Sequence, residues 1–197
     1  MTRYGMLINT KKCVGCYACR MACQMINKLE PEEAFISYKE IEQGTYPSVY
    51  AETVPVQCMH CENAPCQQVC PTHATYTTES GVVLVDEEKC IGCGTCAIVC
   101  PYNAPKVDEE IKKAVRCDMC ADRVAEGKQP ICVEACPLRA LDFGEISELR
   151  QKYGEMADIA PLPSADETKP NIVITEPVNA KPAGDTTGSV LNEREIA

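Results

Sequence analysis

The residues able to do chemistry in this chain are its cysteines, and their spacing says which chemistry. From Cys90 to Pro101 the chain reads CIGCGTCAIVCP, a C-x2-C-x2-C-x3-C-P run. Cys13, Cys16, Cys19 and Cys23 repeat that spacing without the proline, and Cys58, Cys61, Cys66 and Cys70 form C-x2-C-x4-C-x3-C-P. Cys117, Cys120, Cys132 and Cys136 form C-x2-C-x11-C-x3-C-P. Four groups of four use all 16 cysteines. Thiolates recurring at this interval curl one loop around an iron–sulfur cube and reach three of its irons, which is how a [4Fe-4S] cluster is held. The fourth cysteine follows three residues later, beyond a helical turn, and in two-cluster ferredoxins it ligates the other cube. The groups therefore have to work in pairs.

The flanks tell which groups pair. MLINTKKCVGC precedes the first group and VLVDEEKCIGC the third, so Leu7, Lys12 and Gly15 correspond to Leu84, Lys89 and Gly92. CPTHA closes the second group and CPLRA the fourth, aligning Pro71 with Pro137 and Ala74 with Ala140. One unit needs one entry and one exit segment, and residues 58–104 supply both. The second and third groups then form one two-cluster unit, and the first and fourth close around it as another. The expected ligand sets are Cys13, Cys16, Cys19 with Cys136 (cluster 1); Cys117, Cys120, Cys132 with Cys23 (cluster 2); Cys58, Cys61, Cys66 with Cys100 (cluster 3); and Cys90, Cys93, Cys96 with Cys70 (cluster 4).

The elements that must position these groups are short. Tyr4 to Asn9 reads as a strand entering the first loop, where Gly15 lets the backbone approach the cube, and Tyr17 to Asn27 as a helix. The insertion before residue 58 holds extended stretches at Ser37–Glu42 and Val49–Val56, with Pro47 and Pro55 restricting them to edge pairing. Hairpins are expected at Thr75–Thr78 with Val82–Val85 and over Lys106–Val115. Ala121 to Glu126 reads as a helical turn closed by Gly127, and Ile146 to Tyr153 as a helix capped by Ser147 and stopped by Gly154. The fold class is α+β: two ferredoxin-like two-cluster units, one inserted within the other, plus an extended C-terminal tail. Its divisions are 1–57 (first half of the outer unit with an insertion), 58–104 (inner unit), 105–145 (second half of the outer unit) and 146–197 (short helix and partner-binding tail). The tail carries Pro161, Pro163, Pro170, Pro177 and Pro182 and no periodicity. Its apolar stretch Ile172–Ile174 would be exposed without a partner, so the tail reads as an arm that orders on another subunit.

Composition narrows the classes. A chain with no Trp and two Phe has a thin organic core, so metal ligation should contribute much of the folding free energy. Cysteine pairs two residues apart in every group argue against a disulfide framework. The triple C-x2-C-x2-C, seen twice, argues against zinc ribbons assembled from separate CxxC pairs. A formal net charge of −10 disfavours nucleic acid as a partner. No stretch approaches the roughly 18 apolar residues of a membrane span, and MTRYGMLINT shows neither an h-region nor a twin arginine.

Other residues near the groups have plainer readings. His60 and His73 read as polar loop residues without a partner for acid–base work. Arg20, Arg116, Arg123 and Arg139 would raise a cluster's potential if aimed at it, or else form surface ion pairs. Met21, Met25, Met59 and Met119 read as flexible apolar filler around the cubes. None of these makes a catalytic constellation.

Four groups in this order, with x11 in the last, resemble the electron-transfer subunit of the complex iron-sulfur molybdoenzymes. The segment RVAEGKQPICVEACPLRALDFGEISELRQKYG, with APLP and KPNIVI beyond it, is similar to the iron-sulfur subunit of dimethyl sulfoxide reductases. That resemblance implies a large molybdopterin catalytic subunit and an integral-membrane, quinol-oxidising anchor as partners. It places the cluster on Cys13, Cys16, Cys19 and Cys136 nearest the catalytic subunit and that on Cys90, Cys93, Cys96 and Cys70 nearest the anchor. Nitrate reductase relatives hold a tryptophan and a [3Fe-4S] cluster where Cys93 stands, so Cys93 implies four [4Fe-4S] clusters. It also implies a peripheral place at the cytoplasmic membrane, on the extracytoplasmic face by co-export with a signal-bearing partner, the alternative being the cytoplasm. Two other functions fit the cysteines: the iron-sulfur subunit of a non-respiratory molybdenum or tungsten enzyme such as a transhydroxylase, and a free polyferredoxin carrier.

Overall fold

A computed structural model describes residues 2–31 and 33–192. Strand β1 (Tyr4–Asn9) leads into the first cysteine group and helix α1 (Ala18–Asn27), and the insertion then forms β2 (Ser37–Thr45) and β3 (Ser48–Val56). The second group holds α2 (Pro65–Gln68), the third holds α3 (Thr95–Ile98), and β4 (Thr75–Thr77) with β5 (Val83–Val85) links them. The hairpin β6 (Lys106–Val107) and β7 (Ala114–Val115) precedes the fourth group, which carries α4 (Ala121–Ala125) and α5 (Ile131–Ala135). Beyond it come β8 (Leu141–Glu145), α6 (Ile146–Tyr153), α7 (Ala165–Thr168), β9 (Ile172–Thr175) and β10 (Ser189–Val190). Helix and strand are mixed, as an α+β class requires.

The organising wall is a three-stranded sheet in the order β8-β1-β9. β1 pairs antiparallel with β8, Met6 facing Phe143, and parallel with β9, Leu7 facing Val173. Side chains alternate across it as a strand period of two demands. Leu7 and Val173 pack with Ile146 and Leu149 of α6 on one face, whereas Met6, Ile8, Ile172 and Ile174 face the cysteine-bearing core on the other. Covered on both faces, β1 reads as a nearly continuous apolar run.

This sheet corrects the expectation for Ile172–Ile174. The stretch is buried in its own chain, with Val173 0% exposed, because β1 offers a second free edge that β9 fills. β8 was not anticipated, although Leu141 and Phe143 alternate inward. Ser147 does not cap α6 either: Glu145 holds the cap position, and Ser147 Oγ donates back to Glu145 Oε1 at 3.0 Å.

The insertion is a full hairpin, paired from Ser37↔Val56 to Thr45↔Ser48 and turning at Tyr46–Pro47. β3, which carries Pro55, lies at the edge of the order β10-β2-β3, the place proline tolerates. Tyr38, Ile41, Val54 and Val56 are buried. The far tail returns to the hairpin: β10 pairs with β2, and the Asn192 amide donates to the Tyr38 carbonyl at 2.8 Å. Residues 193–197 of the expected tail lie outside the described residues. No helix among the described residues is long and apolar enough to cross a membrane.

Candidate metal centres

Helix packing brings cysteines of distant motifs together. On α1, Cys19 and Cys23 stand four residues apart and so share one face, one turn above the other. Cys132 lies on α5, and Cys136 is its C-terminal cap residue. α1 and α5 pack together, which sets cysteines of the first motif beside cysteines of the fourth. A small cavity is lined by Cys13, Cys16, Cys19 and Cys136, with Val14, Tyr17, Tyr38 and Leu138 around them. Cys23 lies among Cys117, Cys120 and Cys132, close enough for their charges to act on one another.

α2 and α3, within the second and third motifs, likewise pack against each other. Cys58, Cys61, Cys66 and Cys100 line a second small cavity, together with Arg116. Cys70, Cys90, Cys93 and Cys96 line a third. Each of the three cavities thus gathers three cysteines of one motif and one of another. All 16 cysteines are free thiols.

A backbone pattern recurs beneath the sulfurs. The residue two after the first cysteine has a left-handed backbone in all four motifs: Gly15 (φ 64°), His60 (φ 44°), Gly92 (φ 68°) and Met119 (φ 58°). Such a turn aims the peptide N–H back at the leading sulfur, as Met119 N–H does toward Cys117 Sγ at 3.4 Å. Two motifs use glycine; the other two accept the strain of a side chain because His60 and Met119 are buried, 1% and 2% exposed. A Cβ on Gly15 would meet Thr53 Oγ1 of β3 at 3.0 Å, so this glycine serves the turn and also its packing on the hairpin.

The exits repeat as well. His73, Asn103 and Arg139 stand three residues after the fourth cysteine with φ of 52°, 49° and 51°, and each N–H bonds back to that cysteine's carbonyl at 3.0–3.3 Å. The next N–H reaches the sulfur: Ala104 to Cys100 Sγ at 3.5 Å and Ala140 to Cys136 Sγ at 3.2 Å. The buried alanines leave room for that turn.

Several side chains depart from their plainer readings. His60 lies in a loop but is buried, and its Nδ1 accepts the Val83 N–H at 3.0 Å. Arg123 pairs with Glu134 at 2.6 Å, whereas Arg116 is buried and its Nη1 donates to Cys66 Sγ at 3.2 Å. Met59 and Met119 are core filler, but Met21 and Met25 are exposed, at 56% and 77%. Tyr38, whose hydroxyl lies 2.8 Å from Cys19 Sγ, was not foreseen. It is 19 residues away in the insertion, and no motif marks it.

Burial pushes the thiols of Cys23 and Cys61 up to about 12 and raises Cys132 as well. Bound metal reverses this, because a coordinating thiol gives up its proton. Burial would also raise Cys70, but N–H groups of Thr75, Thr72 and Ala74 and the Thr72 hydroxyl outweigh it and hold the thiol at about 7. The Thr95 hydroxyl and N–H lower Cys93. The donor set suits iron–sulfur clusters: sulfurs ring each cavity, N–H groups point at them, and a guanidinium sits against one of them.

Two family models described as 4Fe-4S dicluster domains match residues 49–146 and 12–74. The B subunit of anaerobic dimethyl sulfoxide reductase from Escherichia coli (strain K12) is 47% identical, over 99% of each protein. Its counterpart from Haemophilus influenzae is 42% identical over 100% of each. The thiosulfate reductase electron transfer subunit of Salmonella typhi is 41% identical over 74% of this chain and 78% of its own. With likeness running from end to end and every cysteine motif accounted for by the fold, the chain belongs to the 4Fe-4S dicluster family of dimethyl sulfoxide reductase B subunits.

Proposed function

We propose that this chain is the electron-transfer subunit of a molybdopterin oxidoreductase, conducting electrons between a quinol-linked membrane anchor and a large catalytic subunit in anaerobic respiration. The observation that carries this is the gathering of cysteines from two motifs around each cavity. The four [4Fe-4S] clusters, when bound, supply one-electron transfer at potentials set by their surroundings. The chain's own residues hold them in the sets Cys13/Cys16/Cys19/Cys136, Cys117/Cys120/Cys132/Cys23, Cys58/Cys61/Cys66/Cys100 and Cys90/Cys93/Cys96/Cys70. On this reading residues 58–104 form an inner unit around which the first and fourth motifs close.

Exposed apolar side chains support contacts at two places. Val14 and Leu138 border the first cavity, 69% and 44% exposed, and Met21 and Met25 on α1 are exposed as well. Ile91 borders the Cys70/Cys93 cavity at 64%, and Ile98 on α3 is 84% exposed. Apolar surface of this kind marks interaction sites. The first patch meets the catalytic subunit, the second the anchor, and the complex sits peripherally on the extracytoplasmic face through a co-exported partner. Co-purification tests this: the chain is expected to bring down a molybdopterin protein and a membrane subunit whose quinol reduces its clusters. A chain that runs alone and reduces soluble acceptors would refute it.

A further inference from the structure

Arg116 is the one arginine of the four near cysteine motifs that is fully buried, 6% exposed. It follows β7 and precedes Cys117, at the meeting point of the second, third and fourth motifs. It lines the cavity of Cys58, Cys61, Cys66 and Cys100, and its Nη1 donates to Cys66 Sγ at 3.2 Å. Its Nε and Nη2 are buried without a partner. Among the described residues no carboxylate forms an ion pair with it, whereas Arg123 takes Glu134. A guanidinium carries five donors and stays charged at any working pH, and burying it without an anion is strongly unfavourable. The anion class that completes this site is sulfur: thiolates and the cluster sulfides they surround.

Resting on the ligand sets proposed above, we infer that Arg116 is a fixed cationic donor that raises the reduction potential of the cluster on Cys58, Cys61, Cys66 and Cys100. Each one-electron reduction adds a negative charge beside the guanidinium, so the reduced form gains more from it than the oxidised form. Its N–H groups add to this, since hydrogen bonds to cluster sulfurs act in the same direction. The charge also acts on Cys96, so the cluster on Cys90, Cys93, Cys96 and Cys70 feels it more weakly. The arrangement keeps one cation at the junction of the two middle motifs, where a carboxylate partner would have cancelled its effect.

The test is anaerobic potentiometric titration of the whole complex by electron paramagnetic resonance. In Arg116→Gln the reduction equilibrium of that cluster is expected to move at least tenfold toward the oxidised form, a fall of 59 mV for one electron. Arg116→Lys, which keeps the charge, moves it less. Four clusters at wild-type potentials in Arg116→Gln would overturn the inference while leaving the ligand sets intact. A second measurement needs no glutamine variant: wild-type complex labelled with guanidino-15N arginine should show a nitrogen coupling to the reduced cluster by pulsed resonance, lost in Arg116→Lys. Absence of that coupling in a four-cluster wild type would also overturn it. Fewer than four clusters by iron and sulfide analysis of the wild type would overturn the ligand sets and this inference together.

Discussion

Val173→Ala tests whether the C-terminal strand belongs to this chain's own fold. Val173 sits in β9, 0% exposed, against Leu7, Ile146 and Leu149. Removing two buried carbons costs about 1.6 kcal/mol at roughly 0.8 kcal/mol each. The space left behind adds about 1 kcal/mol, for a total of about 2–3 kcal/mol. The assay is the rate at which visible cluster absorbance bleaches in anaerobic denaturant, since stability here is read as a rate. If β9 is unmade in the unfolding transition state, bleaching accelerates roughly 30- to 150-fold. Val178→Ala is the control: Val178 is 96% exposed, and such a surface change should stay within about 0.5 kcal/mol. Equal bleaching rates for the two variants would refute the docking of β9 on β1 and return the strand to a partner.

Three further outcomes are expected. Cys136→Ala should remove the centre built on the N-terminal motif, leaving about 12 irons per chain at four irons per cube, and iron analysis with resonance spectra will show whether that signal goes instead of the fourth motif's own. Removing the clusters under reducing conditions should collapse far-ultraviolet circular dichroism, because the core is threaded with cysteines whose ligation supplies folding free energy. Tyr38→Phe deletes the hydroxyl 2.8 Å from Cys19 Sγ and should lower the potential of the first cluster by on the order of 20–60 mV, the equivalent of about 0.5–1.5 kcal/mol, with the other three unmoved in potentiometric titration.

Much of this site was legible because its chemistry is written in intervals. The cysteine motifs, β1, the two hairpins at 75–85 and 106–115, the extended stretches of the insertion and α6 follow from cysteine spacing, alternation and turn residues, which are local signals. What escaped was non-local. β8 and β9 are short, and only the free edges of β1 decide that Leu141–Glu145 and Ile172–Thr175 pair with it. Tyr38 meets Cys19 across a hairpin whose placement no motif encodes. The left-handed turns at His60 and Met119 escaped because such backbone is announced by glycine in only two of the four motifs. Arg116 was visible as a charge beside a cysteine, but its burial, which separates it from Arg123 and Arg139, depends on the packing of three motifs at once.

The crossing of thiols between α1 and α5 has a consequence for biosynthesis. On the proposed ligand sets, both middle sites have their full complement of sulfur once residue 100 has left the ribosome, while the first and second wait for Cys136 and Cys132. At bacterial elongation rates of about 5–20 residues per second, the N-terminal motif spends roughly two to seven seconds longer as an unfinished three-thiol nest. On those sets, the thiols of the two middle sites are complete first and those of the outer sites last.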